Sequence, residues 1–251
     1  MLLHGIGGSR HDWSPLTGAL EREFEVLAVD LPGFGDSPPD ADLPVTIDGQ
    51  ADAVGRALDA AGVDRVHLVG NSSGGWLALE LARRERARSV VALAPAGMWS
   101  PREDRYRYSL LRNAHYSARV IRRYPALTRT APRRWMLGMW LFMARPGRWS
   151  PEEMQTQMEA LGGAESFMDF LRWTRGRAVE GLGDVHCPVL IAWGSRDFLL
   201  PRRQADRFVD AIPGAEFRLL QGVGHVPMAD DPELIGSAIR DFANRAEAAL
   251  A

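Results

Sequence analysis

The sequence predicts an α/β fold: a mostly parallel sheet with helices on both faces and an all-helical insertion. Three observations predict it. Continuous apolar runs of strand length alternate with amphipathic helical stretches, the pattern of strands buried on both faces. A glycine-rich turn hands one such run to a helix. One long central segment carries no strand pattern.

In chain order, the first run is Phe24 to Val29, Phe-Glu-Val-Leu-Ala-Val, ending at Asp30. Thr46 to Ala61 has helical spacing, with Ile47, Ala51, Val54, Leu58 and Ala61 on one face. Val66 to Val69 reads as a strand and Trp76 to Ala82 as a helix, with Val-Gly-Asn-Ser-Ser-Gly-Gly between them. Val90 to Ala94, Val189 to Trp193 and Phe217 to Leu220 are further apolar runs, and Pro232 to Ala249 closes as a long amphipathic helix. The segment Met98 to Arg177 interrupts the alternation and reads as helices lying over the sheet. It holds all four tyrosines, several tryptophans and, after Met98 itself, six more of the methionines. Plain helix packing accounts for most of these; the functional alternative is that some line an apolar pocket. Arginines cluster from Arg102 to Arg134, opposed only by Glu103 and Asp104. Such a run reads first as a solvated face, and otherwise as a dock for an acidic partner, an anionic substrate or a membrane surface.

A chain of 251 residues fits one globular domain with an insertion. Its net charge of −2 gives no global reason to expect nucleic acid. The single cysteine, Cys187, excludes a disulfide within the chain and reads as a buried structural thiol. No apolar stretch approaches the length of a membrane span, and no basic-then-apolar leader opens the chain. A cytoplasmic enzyme is the expectation.

Gly70-Asn71-Ser72-Ser73-Gly74 fits G-x-S-x-G, in which the nucleophile sits on a strained strand-to-helix turn flanked by small residues. Centred on Ser72 the flanks are Gly70 and Gly74; centred on Ser73 they would be Asn71 and Gly75, a poorer fit. Ser72 is the candidate nucleophile, and Ser73 offers its backbone N–H to a developing oxyanion. A serine hydroxyl needs a base. Of six histidines, His225 stands out, in the glycine-punctuated loop Gly222-Val223-Gly224-His225-Val226-Pro227-Met228 after the last strand. Asp197, in Trp193-Gly194-Ser195-Arg196-Asp197, follows a strand at the same sheet edge and is the candidate orienting acid. The order Ser, Asp, His suits this topology. Trp76, Trp135, Met139 and Met228 are the candidate pocket residues.

With these pieces assembled, the chain resembles the alpha/beta-hydrolase family over nearly its whole length. The matching pieces are His4-Gly5-Ile6-Gly7-Gly8, Asp30-Leu31-Pro32-Gly33-Phe34-Gly35-Asp36-Ser37, the Ser72 turn, Trp193-Gly194 with Asp197, and Gly224-His225. The resemblance implies an alpha/beta-hydrolase core at 1–97 and 178–251 and a helical cap at 98–177. It implies a second oxyanion donor at the Ile6 backbone N–H, with Gly7 the alternative, and no cofactor. Family members carry two strands before the His-Gly strand. Here there is no room for them, so the first two strands are expected to be missing. Phe24 to Val29 would then be an exposed apolar edge, with poor solubility or a homodimer as the expected result.

The expected function is hydrolysis of a carboxylic ester on a small to medium apolar substrate. Carbon–carbon bond hydrolysis of a vinylogous diketone is an alternative, because Gly70-Asn71-Ser72 resembles those enzymes. A cofactor-free perhydrolase and a truncated inactive or binding member of the fold are others. Epoxide and haloalkane hydrolysis in this fold use an aspartate nucleophile, against which Ser72 speaks.

Overall fold

The computed structural model describes residues 1–250. Six strands form one sheet: β1 (Leu2–Leu3), β2 (Ala28–Val29), β3 (Val66–Asn71), β4 (Ala87–Leu93), β5 (Val189–Gly194) and β6 (Glu216–Leu220). Their order is β2-β1-β3-β4-β5-β6, and every pairing is parallel. Side chains along a strand alternate between faces, which sorts the apolar runs into two cores. Leu68, Val90, Ala92, Ile191 and Trp193 face one core. It is shared with α2 (Ile47–Ala60), α3 (Ser73–Arg83) and α8 (Arg203–Ala211). Val69, Val91, Leu93, Leu190 and Ala192 face the other, with α1 (Ser14–Leu20) and α10 (Pro232–Leu250).

The edge strand departs from expectation. Only Ala28 and Val29 pair, although the apolar run begins at Phe24. Leu27 still accepts the Leu2 N–H at 2.7 Å, but the backbone before it leaves the ladder. Val26 and Ala28 pack onto the second core instead. The exposed edge is therefore much shorter than the sequence suggests.

Between β4 and β5 the described residues form helices and turns only: α4 (Pro101–Ile121), α5 (Ala131–Trp140), α6 (Pro151–Gly163) and α7 (Phe167–Trp173). Ser100 with Glu103 and Ser150 with Glu153 make reciprocal capping boxes that start α4 and α6 behind a proline. No described helix is long and apolar enough to cross a membrane.

Candidate active site

Ser72 lies where β3 turns into α3, at φ 56 and ψ −117. Few non-glycine residues adopt that region. The reversal is this tight because its flanks lack side chains. A Cβ on Gly70 would enter the Gly74 carbonyl, and one on Gly74 would enter the carbonyls of Leu3 and His4. The Ser72 N–H donates to the Leu93 carbonyl at 2.9 Å, and the Ser72 carbonyl accepts from Gly75, Trp76 and Ala96.

His225 sits in the turn between β6 and the short helix α9 (Pro227–Asp230). Its Nδ1 donates to Asp197 Oδ2 at 2.7 Å. Asp197 Oδ1 accepts the N–H groups of Leu199 and Leu200, each at 2.9 Å. The carboxylate, an acceptor only, places the imidazole proton on Nδ1. Nε2 is then a buried lone pair, and among the described residues it has no hydrogen-bond partner. Gly194 lets the His225 loop close over β5, since a Cβ there would strike the Val223 and Gly224 carbonyls.

Ser72 and His225 line one cavity of about 60 Å³, together with Ile6 and Gly7. Among the described residues, the N–H groups of Ile6, Gly7 and Ser73 have no protein acceptor. The Ser73 N–H stands in the first turn of α3, where helix amides are free to meet an anion. Much of the rest of the wall is apolar and comes from the helical insertion: Leu111, Leu141, Phe142, Met143 and Leu161.

The expected pocket residues are elsewhere. Trp76 meets Trp99 edge-on and Trp173 at a tilt, centroids 5.9 and 5.6 Å away, next to Gly97. Met228 is fully buried in the core beneath α10. Trp135 and Met139 face solvent, at 58% and 37% exposure, because α5 turns Leu137 and Gly138 inward. None of the four lines the cavity that holds Ser72 and His225.

Three polar residues at the site escape sequence reasoning. The Asn71 side chain donates to the carbonyls of Leu93 and His225, each at 3.0 Å, tying the histidine loop to the serine turn. Asp230, fully buried, accepts the N–H groups of Gly224 at 2.6 Å, Ala144 at 2.9 Å and Arg145 at 2.6 Å. It thereby clamps the histidine loop to the segment after α5, whose Phe142 carbonyl accepts the His225 N–H. Asp12 lines the cavity and accepts from Gln157 of α6 at 2.6 Å. Burial pushes the Asp12 carboxyl up to about 6, against the hydrogen bond from Gln157. Asn71 lay inside the serine motif and could have been weighed. Asp12 and Asp230 meet partners more than eighty residues away, which no local pattern signals. Among the described residues, no group of three or more His, Cys, Asp or Glu is arranged to hold a metal ion.

Residues 1–238 match the alpha/beta hydrolase family. The proposed carbamate hydrolase RutD of Variovorax paradoxus is 30% identical, covering 99% of this chain and 92% of that protein. The epoxide hydrolase EphH of Mycobacterium tuberculosis is 32% identical, covering 76% of this chain and 92% of its own. Among solved structures, a thermophilic esterase from Thermogutta terrifontis shares the fold, with a TM-score of 0.76 and 22% identity. That alignment covers 98% of this chain and 89% of the esterase.

Proposed function

The chain belongs to the alpha/beta hydrolase family, and from that premise we propose that it is a serine esterase acting through Ser72, His225 and Asp197. The observation that carries the reading is the strained Ser72 turn, which shares a small cavity with a histidine whose Nδ1 is anchored to a buried carboxylate. Nothing in that arrangement serves packing alone: the backbone is strained and the lone pair is buried unpaired.

The chemistry follows from the atoms. As the ester enters, the Ser72 hydroxyl closes on His225 Nε2, a tightening common to such sites. Oγ attacks the carbonyl carbon and its proton passes to Nε2. Asp197 holds the ring and offsets the imidazolium charge. The carbonyl oxygen, now negative, accepts from the N–H groups of Ile6 and Ser73. Collapse expels the alcohol, which takes the proton from Nε2 and leaves an acyl group on Ser72. Water then repeats the sequence, releasing the acid. The helical insertion acts as the cap that closes residues 98–177 over the acyl group.

Asn71 gives its amide hydrogens to main-chain carbonyls, so it supports no particular substrate and lends little to the carbon–carbon reading. A carbamate is the second reading, named for the Variovorax relative. It is favoured by Asp12 and Gln157, a polar pair in a largely apolar wall that offers a carbamate N–H an acceptor. The test is a panel of p-nitrophenyl esters of graded chain length beside simple alkyl carbamates, with fluorophosphonate labelling. Ester turnover and labelling lost together in Ser72→Ala support the esterase. Carbamate turnover without ester turnover favours the second reading, and silence in every assay removes both.

A further inference from the structure

The helical insertion turns an apolar face to solvent. On α5, Trp135, Met136 and Met139 recur at i, i+1 and i+4, with Trp135 and Met136 more than half exposed. Near the end of α4, Tyr116 and Val120 are likewise exposed, Val120 at 59%. Large apolar side chains concentrated in this way on an otherwise ordinary surface mark a binding face.

The charge along this stretch of chain is one-sided, although α6, which follows it, presents Glu152, Glu153 and Glu159 to solvent. From Arg105 to Pro151 there are eleven arginines and no aspartate or glutamate. Arg112, Arg119, Arg123, Arg129 and Arg133 are exposed, and among the described residues none has a carboxylate partner. This differs from the rest of the surface, where arginines pair widely, as Arg84 does with Asp48, Asp52 and Glu80. On α4, Arg112, Tyr116, Arg119 and Val120 fall at i, i+4, i+7 and i+8, one face of the helix.

We propose that the exposed side of α5, with the Arg112–Val120 face of α4, docks on an anionic lipid bilayer. Arginine pairs with lipid phosphates, Trp and Tyr favour the headgroup boundary, and Val120, Met136 and Met139 enter the acyl region below it. A nucleic acid or an acidic protein would match the arginines. Neither needs three aliphatic or thioether side chains presented beside them. The docking face backs onto the catalytic cavity: Leu111 on the inner side of α4, and Leu141 to Met143 just after α5, line it. A bilayer engaged there would lie against the outside of the cavity wall.

The experiment is vesicle sedimentation of the full chain carrying Ser72→Ala, so that no lipid is hydrolysed and the outcome is independent of the esterase reading. Vesicles are phosphatidylcholine alone or mixed with phosphatidylglycerol. The expected result is binding to the mixed vesicles only, weakened by salt. Arg119→Gln, Arg123→Gln and Arg133→Gln together should weaken it on the order of 100-fold, about fivefold for each arginine. Trp135→Ser, Met136→Ser and Met139→Ser together should weaken it at least ~10-fold, each lost apolar contact acting as in an interfacial helix. Thermal melting of each variant verifies its fold. Absence of binding by the parent chain overturns the proposal. So does binding indifferent to both sets of substitutions. Binding of a soluble polyanion such as heparin, with none to vesicles, overturns it in favour of an acidic macromolecule.

Discussion

At Ser72 the backbone holds φ 56 and ψ −117, a conformation that costs a non-glycine residue on the order of 1–3 kcal/mol. Ser72→Ala keeps that backbone and removes only the hydroxyl. It should cost about 10⁴ to 10⁶ in kcat while leaving the melting temperature near the parent value. Ser73→Ala should cost far less, because its contribution is a backbone N–H; the reverse ranking would move the turn by one residue. His225→Ala should match Ser72→Ala, and Asp197→Asn should also be severe, since it favours the wrong imidazole tautomer. Near-parent rates for Asp197→Asn would remove it from the mechanism. These three candidates drew attention in the sequence because each sits in a short motif at the end of an apolar run. Asp12 did not, since what defines it is Gln157, in a different part of the chain. Its raised carboxyl, near 6, means the folded state holds the Asp12 proton more tightly than the unfolded chain does. Stability from this group is therefore greatest below about pH 4 and is lost as pH rises through about 6. The cost at neutral pH is on the order of 3 kcal/mol, with the Gln157 hydrogen bond already offsetting part of the burial. Asp12→Asn should be the more stable protein at pH 7, with an advantage that shrinks as pH falls from 6 to 4. Denaturant midpoints across that range that run parallel for both proteins would refute it.

Elements that depend on local pattern came through the sequence best. The helices over 47–60 and 232–250 follow from periodicity and caps, and the strands β3 and β5 from unbroken apolar runs. The β2 run did not, because apolar content alone does not say whether a backbone stays in a ladder. Here Val26 is drawn onto the core beside α10, and pairing is confined to two residues. The junction between elements was also invisible. Asp230 takes three main-chain N–H groups from two segments, and so sets where the His225 loop meets the residues after α5. Asp230→Ala would leave those buried donors unpaired, at about 1–3 kcal/mol each. The expected result is a marked fall in melting temperature, with a loss of kcat at temperatures where the variant is still folded, because His225 loses its registration. A variant that melts lower yet retains full kcat would show that the clamp stabilises the fold without positioning the histidine.

Across the whole molecule, the lack of strand periodicity in the middle of the chain was legible and matches the helices and turns found between β4 and β5. Which insertion side chains face inward was not. Aromatic and methionine residues drew attention, whereas the wall is built mainly from leucines, whose composition gives no such signal. A cavity of about 60 Å³ is far smaller than the ~300–1,000 Å³ typical of ligand sites. On the proposed esterase reading, a space of this size suits a short acyl group, and larger esters would need the insertion to move. Leu161 reaches in from α6 and lies so close to Gly7 that a Cβ on that glycine would strike it. Leu161→Ala should therefore open the cavity beside Gly7, at the proposed oxyanion donors, without touching Ser72, His225 or Asp197. One methylene of fit in an apolar pocket discriminates by roughly 10-fold or more. The ratio of kcat/KM for a hexanoate over an acetate ester should thus rise about 10-fold or more in this variant, at some loss of thermal stability. A chain-length profile identical to the parent's would mean that the acyl chain runs toward another wall, with Leu111 and Leu199 the next positions to open.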